Sequence, residues 1–197
     1  GHGVAYMAAR GDHPLNVYWQ RADGAGSPQL LTQDGRYRMA TSWHASGKYL
    51  AVQATTPTTG VDIEIVPVEE SGPTSLTAGQ PAPFLNGTVN ESAASFSPDG
   101  RWLATSSADK SVKLWDTGTW KEAHTLRGHR DSVRALAFTP DSRLLATGSW
   151  DEKTMLGDAA TGNEVRTLGG RTGWVEMLAF SPNGRLLASQ GEMAVDT

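Results

Sequence analysis

The stretch "FSPDGRWLATSSADKSVKLWD", Phe96 to Asp116, returns in degraded form as "FTPDSRLLATGSWDEKTMLGD", Phe138 to Asp158, and begins a third time as "FSPNGRLLASQGEMAVDT" at Phe180. Phe96, Phe138 and Phe180 follow one another at intervals of 42 residues. A fixed period of this size marks an array in which each repeat is one supersecondary unit that buries its apolar surface against its neighbours. Every copy opens on a Ser/Thr-Pro-Asp/Asn turn, followed by Arg and a short apolar run. A fourth copy, "SWHASGKYLAV", places Trp43 where the Phe stands, 53 residues before Phe96. That longer interval is expected to be taken up by a connection, "PVEESGPTSLTAGQPAP". Earlier still, "GVAYMAAR", "NVYWQRADGAG" and "SPQLLT" read as the later part of another unit.

Inside a repeat the pattern is that of strands. "SVRALAF" alternates Val133, Ala135 and Ala137 with Arg134, Leu136 and Phe138, so both faces are largely apolar, as in a strand covered on two sides. Pro-Asp-Gly, Ala-Asp-Lys and Asp-Thr-Gly fall where hairpin turns are needed. No window holds a capped amphipathic helix. Four short antiparallel strands cannot hide two apolar faces alone, and radial stacking of such sheets hides both. The expected fold is therefore all-β, a β-propeller of four-stranded antiparallel blades. Complete blades are expected at 39–86, 92–127 and 132–169. Partial blades are expected at both ends: strands b, c and d before residue 33, and strands a and b with the start of c from 174 to 197.

Composition narrows the function. The formal net charge is −4 and charged residues make up 19% of the chain, which is no footprint for nucleic acid or an anionic membrane. The longest apolar runs are a few residues, too short to cross a bilayer. There is no cysteine, so disulfide and thiolate chemistry drop out, while the compartment stays open between cytoplasm and periplasm. No Gly-x-Ser-x-Gly elbow, Walker loop or dinucleotide fingerprint is present. Asp109, Asp116 and Asp151 fit turns and strand ends better than a cation cage. His2, His13, His44 and His124 are scattered singly. His129 and Asp131 read as structural hydrogen-bonding residues rather than as acid and base. Arg127, Arg130, Arg134 and Arg143 read as solvated charge. The expectation is a protein that is not an enzyme and takes neither a cofactor nor a metal.

"LATSSADKSVKLWD" followed by "HTLRGHRDSVRALAF" resembles the WD-repeat propeller family, with Trp-Asp and Gly-His dipeptides at the family's places. "VYWQRADGAGSPQLLT", "SWHASGKYLAV", "VDIEIVPV" and "PAPFLN" instead resemble TolB-like propeller repeats, of the kind attached to bacterial kinases and peptidases. The two resemblances divide the chain at 1–91 and 92–197, within one propeller or half-propeller domain. "SPDGRWLA" suits both, which points to two lineages joined at a shared turn. The WD resemblance implies a buried tetrad in each blade: a loop His, a strand-b Ser/Thr, a turn Asp and a strand-c Trp, each satisfying another. One blade supplies Ser107, Asp109 and Trp115, with Asp116 completing the Trp-Asp dipeptide, but its loop "LNGTVNES" lacks the His. The next supplies His129, Ser149 and Asp151, with Gly157 at the Trp position. The last has Arg171 where His is expected, so each network is expected to be incomplete.

Trp120, Trp150 and Trp174 lie near turns and strand entries, where aromatic side chains serve as anchors for a partner. The expected function is a non-catalytic scaffold for an unidentified protein or peptide. Exposed blade faces and edges are further expected to recruit a second copy, giving a homo-oligomer, a dimer first of all. Two alternatives stand beside it: a regulatory or sensor propeller cut from a larger bacterial kinase or peptidase, and a recombinant or engineered hybrid with no evolved ligand.

Overall fold

The computed structural model describes residues 3–10, 13–33, 35–72, 75–169 and 173–191, and throughout them the backbone is strand, turn and loop without a helix. Contacts divide the chain between Thr88 and Val89 into two compact units. The structure is all-β, made of the antiparallel blades of a β-propeller.

The first unit contains two sheets. Strands β1 (Gly3–Arg10), β2 (His13–Arg21) and β3 (Gln29–Leu30) form a three-stranded antiparallel sheet in that order. The second sheet follows with β4 (Arg38–Trp43), β5 (Tyr49–Thr56), β6 (Gly60–Gly72), β7 (Ser75–Ala78) and β8 (Ala82–Leu85). Here the structure corrects the expected connection. β6 runs for 13 residues; its first half pairs with β8, through Ile63 and Leu85, and its second half pairs with β7, through Val68 and Ala78. The segment taken for a linker is thus an extra hairpin that lengthens the outer side of the blade to five strands. Val17 and Leu31 of the first sheet meet Leu50, Val52, Val66 and Val68 of the second in one buried cluster. At about 25 cal/mol per Å² of apolar surface removed from water, clusters of this kind hold the sheets face to face.

The second unit repeats the plan with little variation. β9 (Glu91–Phe96), β10 (Trp102–Ser107), β11 (Val112–Asp116) and β12 (Lys121–Leu126) form one meander. β13 (Val133–Phe138), β14 (Leu144–Ser149), β15 (Thr154–Asp158) and β16 (Glu164–Leu168) form the next. β17 (Met177–Phe180) and β18 (Leu187–Gln190) form a two-stranded sheet beyond it. Residues 192–197, on which the start of a third strand was expected, lie outside the described residues. Leu114 and Val112 of one meander pack against Val133, Phe138 and Leu145 of the next.

The period-2 alternation of the strands sets what each face presents. On β13 and β14 one face carries Ala135, Ala137, Ala146 and Gly148, and it receives the following sheet closely. A Cβ added at Gly148 would lie 2.4 Å from Val175 Cγ1.

The repeated turn has a local cause. In the first copy Asp99 accepts from the Ser97 hydroxyl at 2.6 Å and from the Arg101 amide at 3.0 Å, while Ser97 accepts from the Trp102 amide. Thr139, Asp141 and Arg143 repeat it, as do Ser181, Asn183 and Arg185. The residue after the Asp or Asn must turn left-handed: Gly100, Ser142 and Gly184 have φ of 75°, 62° and 69°. Glycine takes that conformation without steric cost. Ser142 brings a compensation, because its buried hydroxyl accepts from the Asp99 amide of the neighbouring sheet at 3.0 Å.

Candidate functional site

The polar side chains singled out in the sequence fall into two groups, networks buried between sheets and aromatic residues at the sheet edges. In the loop before β13, His129 sits with its side chain 4% exposed beside Asp151, 6% exposed, in the β14–β15 turn. Asp151 is an acceptor, so the ring donates from Nδ1, 3.0 Å from Oδ2. In the neutral ring Nε2 then accepts from the Thr147 hydroxyl at 2.8 Å. Asp151 also accepts from the backbone amides of Arg130 and Lys153. Burial pushes its pKa up, but the Arg130 amide, the bond from His129 and the Lys153 amide outweigh burial and hold it below its ordinary value.

One placement differs from the sequence reading. The hydroxyl that meets the His is Thr147 and not Ser149, whose side chain donates to the Asp131 carbonyl and accepts from the Asp151 amide. His129 pairs with Asp151, the turn Asp of the implied tetrad, while the Asp131 carboxylate accepts from the Ser132 amide.

The preceding blade shows the complementary half. Trp115 on β11 donates from Nε1 to Thr105 Oγ1 at 2.9 Å, and Thr105 is the counterpart of Thr147 one repeat earlier. Asp109 accepts from the amide and hydroxyl of Ser111 at 2.9 and 2.6 Å, and Ser107 accepts from the Asp109 amide. Burial raises the Asp109 pKa, while these bonds and the charge of Arg127 lower it further, for a net depression. Ser107 donates to the Asn90 carbonyl at 3.4 Å, as Ser149 donates to the Asp131 carbonyl one repeat later. Asp116 ends β11 by accepting from the Thr119 amide and hydroxyl. Arg171 lies outside the described residues.

The first unit carries a network that the sequence reading missed. Arg38 on β4 and Glu64 on β6 are 0% and 1% exposed, with Nε donating to Oε2 at 2.7 Å. Arg36 closes the other carboxylate oxygen at 2.8 Å. Glu64 pairs in register with Val52, as Met155 pairs with Thr147. An ion pair therefore stands at the level of the blade where the second unit places His, Thr and Asp. Two Thr hydroxyls, of Thr56 and Thr59, hold Asp62 at the adjoining turn.

At the edges, Trp150 in the β14–β15 turn and Trp174 just before β17 stack with centroids 4.9 Å apart. The Arg134 guanidinium covers Trp150 at 4.1 Å, and the Trp150 indole donates to Glu176. Arg134 also reaches Ser92 at 3.4 Å, so it is packed and not freely solvated. Ser92 on β9, Arg134 on β13 and Glu176 just before β17 stand 42 residues apart. Trp174 is 36% exposed. Trp120 lies on the opposite edge, in the β11–β12 turn, packed edge-on against Phe96. It holds φ = 55° where the next repeat has Gly162 at 71°, a left-handed conformation that costs a bulky residue about 1–2 kcal/mol. Among the described residues no group of three His, Asp or Glu side chains is placed to hold a metal ion.

The family described as WD domain, G-beta repeat matches residues 81–116, 120–156 and 162–192, just over half of the chain. The chain belongs to the WD-repeat family. Each matched repeat begins on or before the outermost strand of one sheet and runs into the next sheet, so the sequence repeat is offset from the blade. The first WD match reaches back to residue 81, into the stretch whose pattern resembles TolB-like repeats.

The chain is 38% identical over 113 residues to the probable serine/threonine-protein kinase PkwA of Thermomonospora curvata, a match over 54% of this chain and 15% of the kinase. It is 53% identical over 34 residues to the Notchless protein homolog of Arabidopsis thaliana, 17% of this chain and 7% of that protein. With dynein assembly factor with WD repeat domains 1 of Danio rerio it shares 44% identity over 41 residues, 21% of this chain and 10% of the relative. The chain thus spans a small part of each of these relatives' lengths.

Proposed function

We propose that this WD-repeat chain is a non-catalytic scaffold that binds a protein or peptide at the turn edge carrying Arg134, Trp150 and Trp174. The stacked pair Trp150–Trp174 carries the reading. Trp150 is held between the Arg134 guanidinium and Trp174, Trp174 is 36% exposed, and rigid aromatic anchors concentrate binding energy at low entropic cost. The buried networks have a different task, to fix the sheets, and the edge residues are therefore the ones free to choose a partner.

The test uses a displayed library of random peptides selected on the intact chain. Binders recovered on the wild type are expected to lose at least about tenfold in affinity on Trp174→Ala, a loss in the hot-spot range, and to keep their affinity on Trp120→Ala. Equal affinity for wild type and Trp174→Ala refutes the edge as the binding surface.

The same scaffold is proposed to associate with a second copy. β17 and β18 alternate half-buried Leu178, Phe180, Leu187 and Ser189 with exposed Met177, Ala179, Ala188 and Gln190. One repeat earlier, the corresponding face of Ala135, Ala137, Ala146 and Gly148 is the one that carries the next sheet.

The match to PkwA favours a second reading, a regulatory propeller borne on a larger kinase, with the first unit contributed by a TolB-like lineage. The Arg38–Glu64 pair, in place of the His–Thr–Asp network, supports a separate origin for that unit. Kinase motifs in the gene sequence flanking this chain test it; an unrelated flanking sequence sinks it.

A further inference from the structure

The WD blades differ at one slot. In register Leu103 faces Trp115 across β10 and β11, and Leu145 faces Gly157 across β14 and β15. The slot that the Trp115 indole fills in one blade is thus without a side chain in the next. Leu126 of the neighbouring sheet leans into it, its Cδ2 2.7 Å from where a Gly157 Cβ would stand. What remains is a cavity of about 30 Å³ lined by Val112, Leu126, His129, Thr147, Met155 and Gly157, among others. Such a volume holds about two waters. Its walls are apolar except at the inner end, where Thr147 donates to His129 and keeps oxygen lone pairs for a donor from the cavity side. The equivalent lone pair on Thr105 is used by the Trp115 indole N–H. Arg127 and Glu164 also line the cavity and are exposed to solvent, so the slot has a polar rim.

We propose that this slot is a binding site for a small indole-class ligand, a planar fused ring whose N–H donates to Thr147 Oγ1. The internal template fixes the chemistry, because the neighbouring blade shows the same threonine holding an indole at 2.9 Å. Entry requires Leu126 to change rotamer. Leu126 ends the outer strand β12 and is only partly buried, and the atom in the way is the far end of its side chain. The nearest backbone atom to the Gly157 Cβ position, the Asn163 carbonyl oxygen, stands at 3.7 Å, an ordinary contact distance.

Titration of the intact chain with indole, followed by calorimetry and thermal unfolding, tests the proposal, with indene as the ring lacking the N–H. Indole is expected to bind the wild type, to raise its midpoint by roughly a few degrees at several times Kd, and to bind more tightly than indene. Leu126→Ala removes the rotamer change and is expected to tighten indole about five- to tenfold. Thr147→Val is expected to erase the preference for indole over indene. Gly157→Trp fills the slot and is expected to abolish binding; should that variant not fold, Gly157→Trp/Leu126→Ala replaces it. Absence of binding to both wild type and Leu126→Ala overturns the site and leaves a hydrated void. Undiminished binding to a folded Gly157→Trp variant, or an indole preference that survives Thr147→Val, overturns it equally.

Discussion

Replacing Glu64 by Leu takes the carboxylate partner away from a buried cation. The Arg38 side chain is 0% exposed and Glu64 is its 2.7 Å partner, itself 1% exposed, between sheets whose other contacts are Val and Leu. Removing one member of such a pair costs about 3–5 kcal/mol, because the remaining charge loses its carboxylate partner without regaining water. Arg36, with its side chain 35% exposed, stays hydrated and adds at most about 1 kcal/mol to the loss. The double variant Arg38→Met/Glu64→Leu removes both charges and restores apolar volume, so its stability is expected within about 2 kcal/mol of wild type. Hydrogen–deuterium exchange of β5 and β6 peptides across a urea series reads the opening free energy of this blade directly. The expected order is wild type and double variant close together, Glu64→Leu well below both. A double variant as unstable as the single one, or a single variant that loses less than about 1 kcal/mol, refutes the argument that the pair is held by mutual compensation.

Other expectations follow from the second unit. Asp151 is held below its ordinary carboxylate value of 3.8, so the stability it contributes is full above that value and is lost as pH falls through its lower folded-state pKa. Asp151→Asn is expected to cost about 1–2 kcal/mol at neutral pH and to flatten the acid limb of a pH–stability profile; an unchanged limb refutes the assignment. Thr105→Val leaves the Trp115 N–H without its acceptor and is expected to cost about 1–3 kcal/mol in urea unfolding, whereas Ser107→Ala, which loses a longer bond, costs less. Gly148→Val drives a side chain into Val175 and is expected to destabilise by about 1–3 kcal/mol, read by unfolding and by altered emission of the adjacent Trp150–Trp174 pair.

Much of this fold was legible because a 42-residue period repeats both the turn chemistry and the strand alternation. Ser97-Pro98-Asp99 and its copies specify a local hydrogen-bonded turn, which any reader of the chain can place. The β6–β7 hairpin was not legible. The 53-residue interval from Trp43 to Phe96 marks an insertion there, but Gly72 and Pro73 read as linker residues, and nothing in the pattern says that the inserted segment pairs as a strand. Thr147 was passed over for Ser149 because both lie two residues apart on one face of β14, and the reach of His129, set by the loop, decides between them. Arg38 and Glu64, 26 residues apart, look like ordinary surface charge in sequence. Only the register of β4, β5 and β6 brings them together under the first sheet. The site followed the same division: Trp150 and Trp174 stood out by type and position, while the Arg134 guanidinium that covers Trp150 was read as solvated charge.

The account rests on the idea that these sheets need cover on both apolar faces, and the mass of the folded chain in solution tests it most directly. Light scattering behind size exclusion is expected to give twice the 21.0 kDa chain mass for the wild type. Ala179→Glu, which puts a charge on the exposed β17–β18 face, is expected to give one chain mass. A wild type that stays a folded single chain at about 100 μM, far above the range of stable interfaces, contradicts the claim, as does a dimer indifferent to Ala179→Glu.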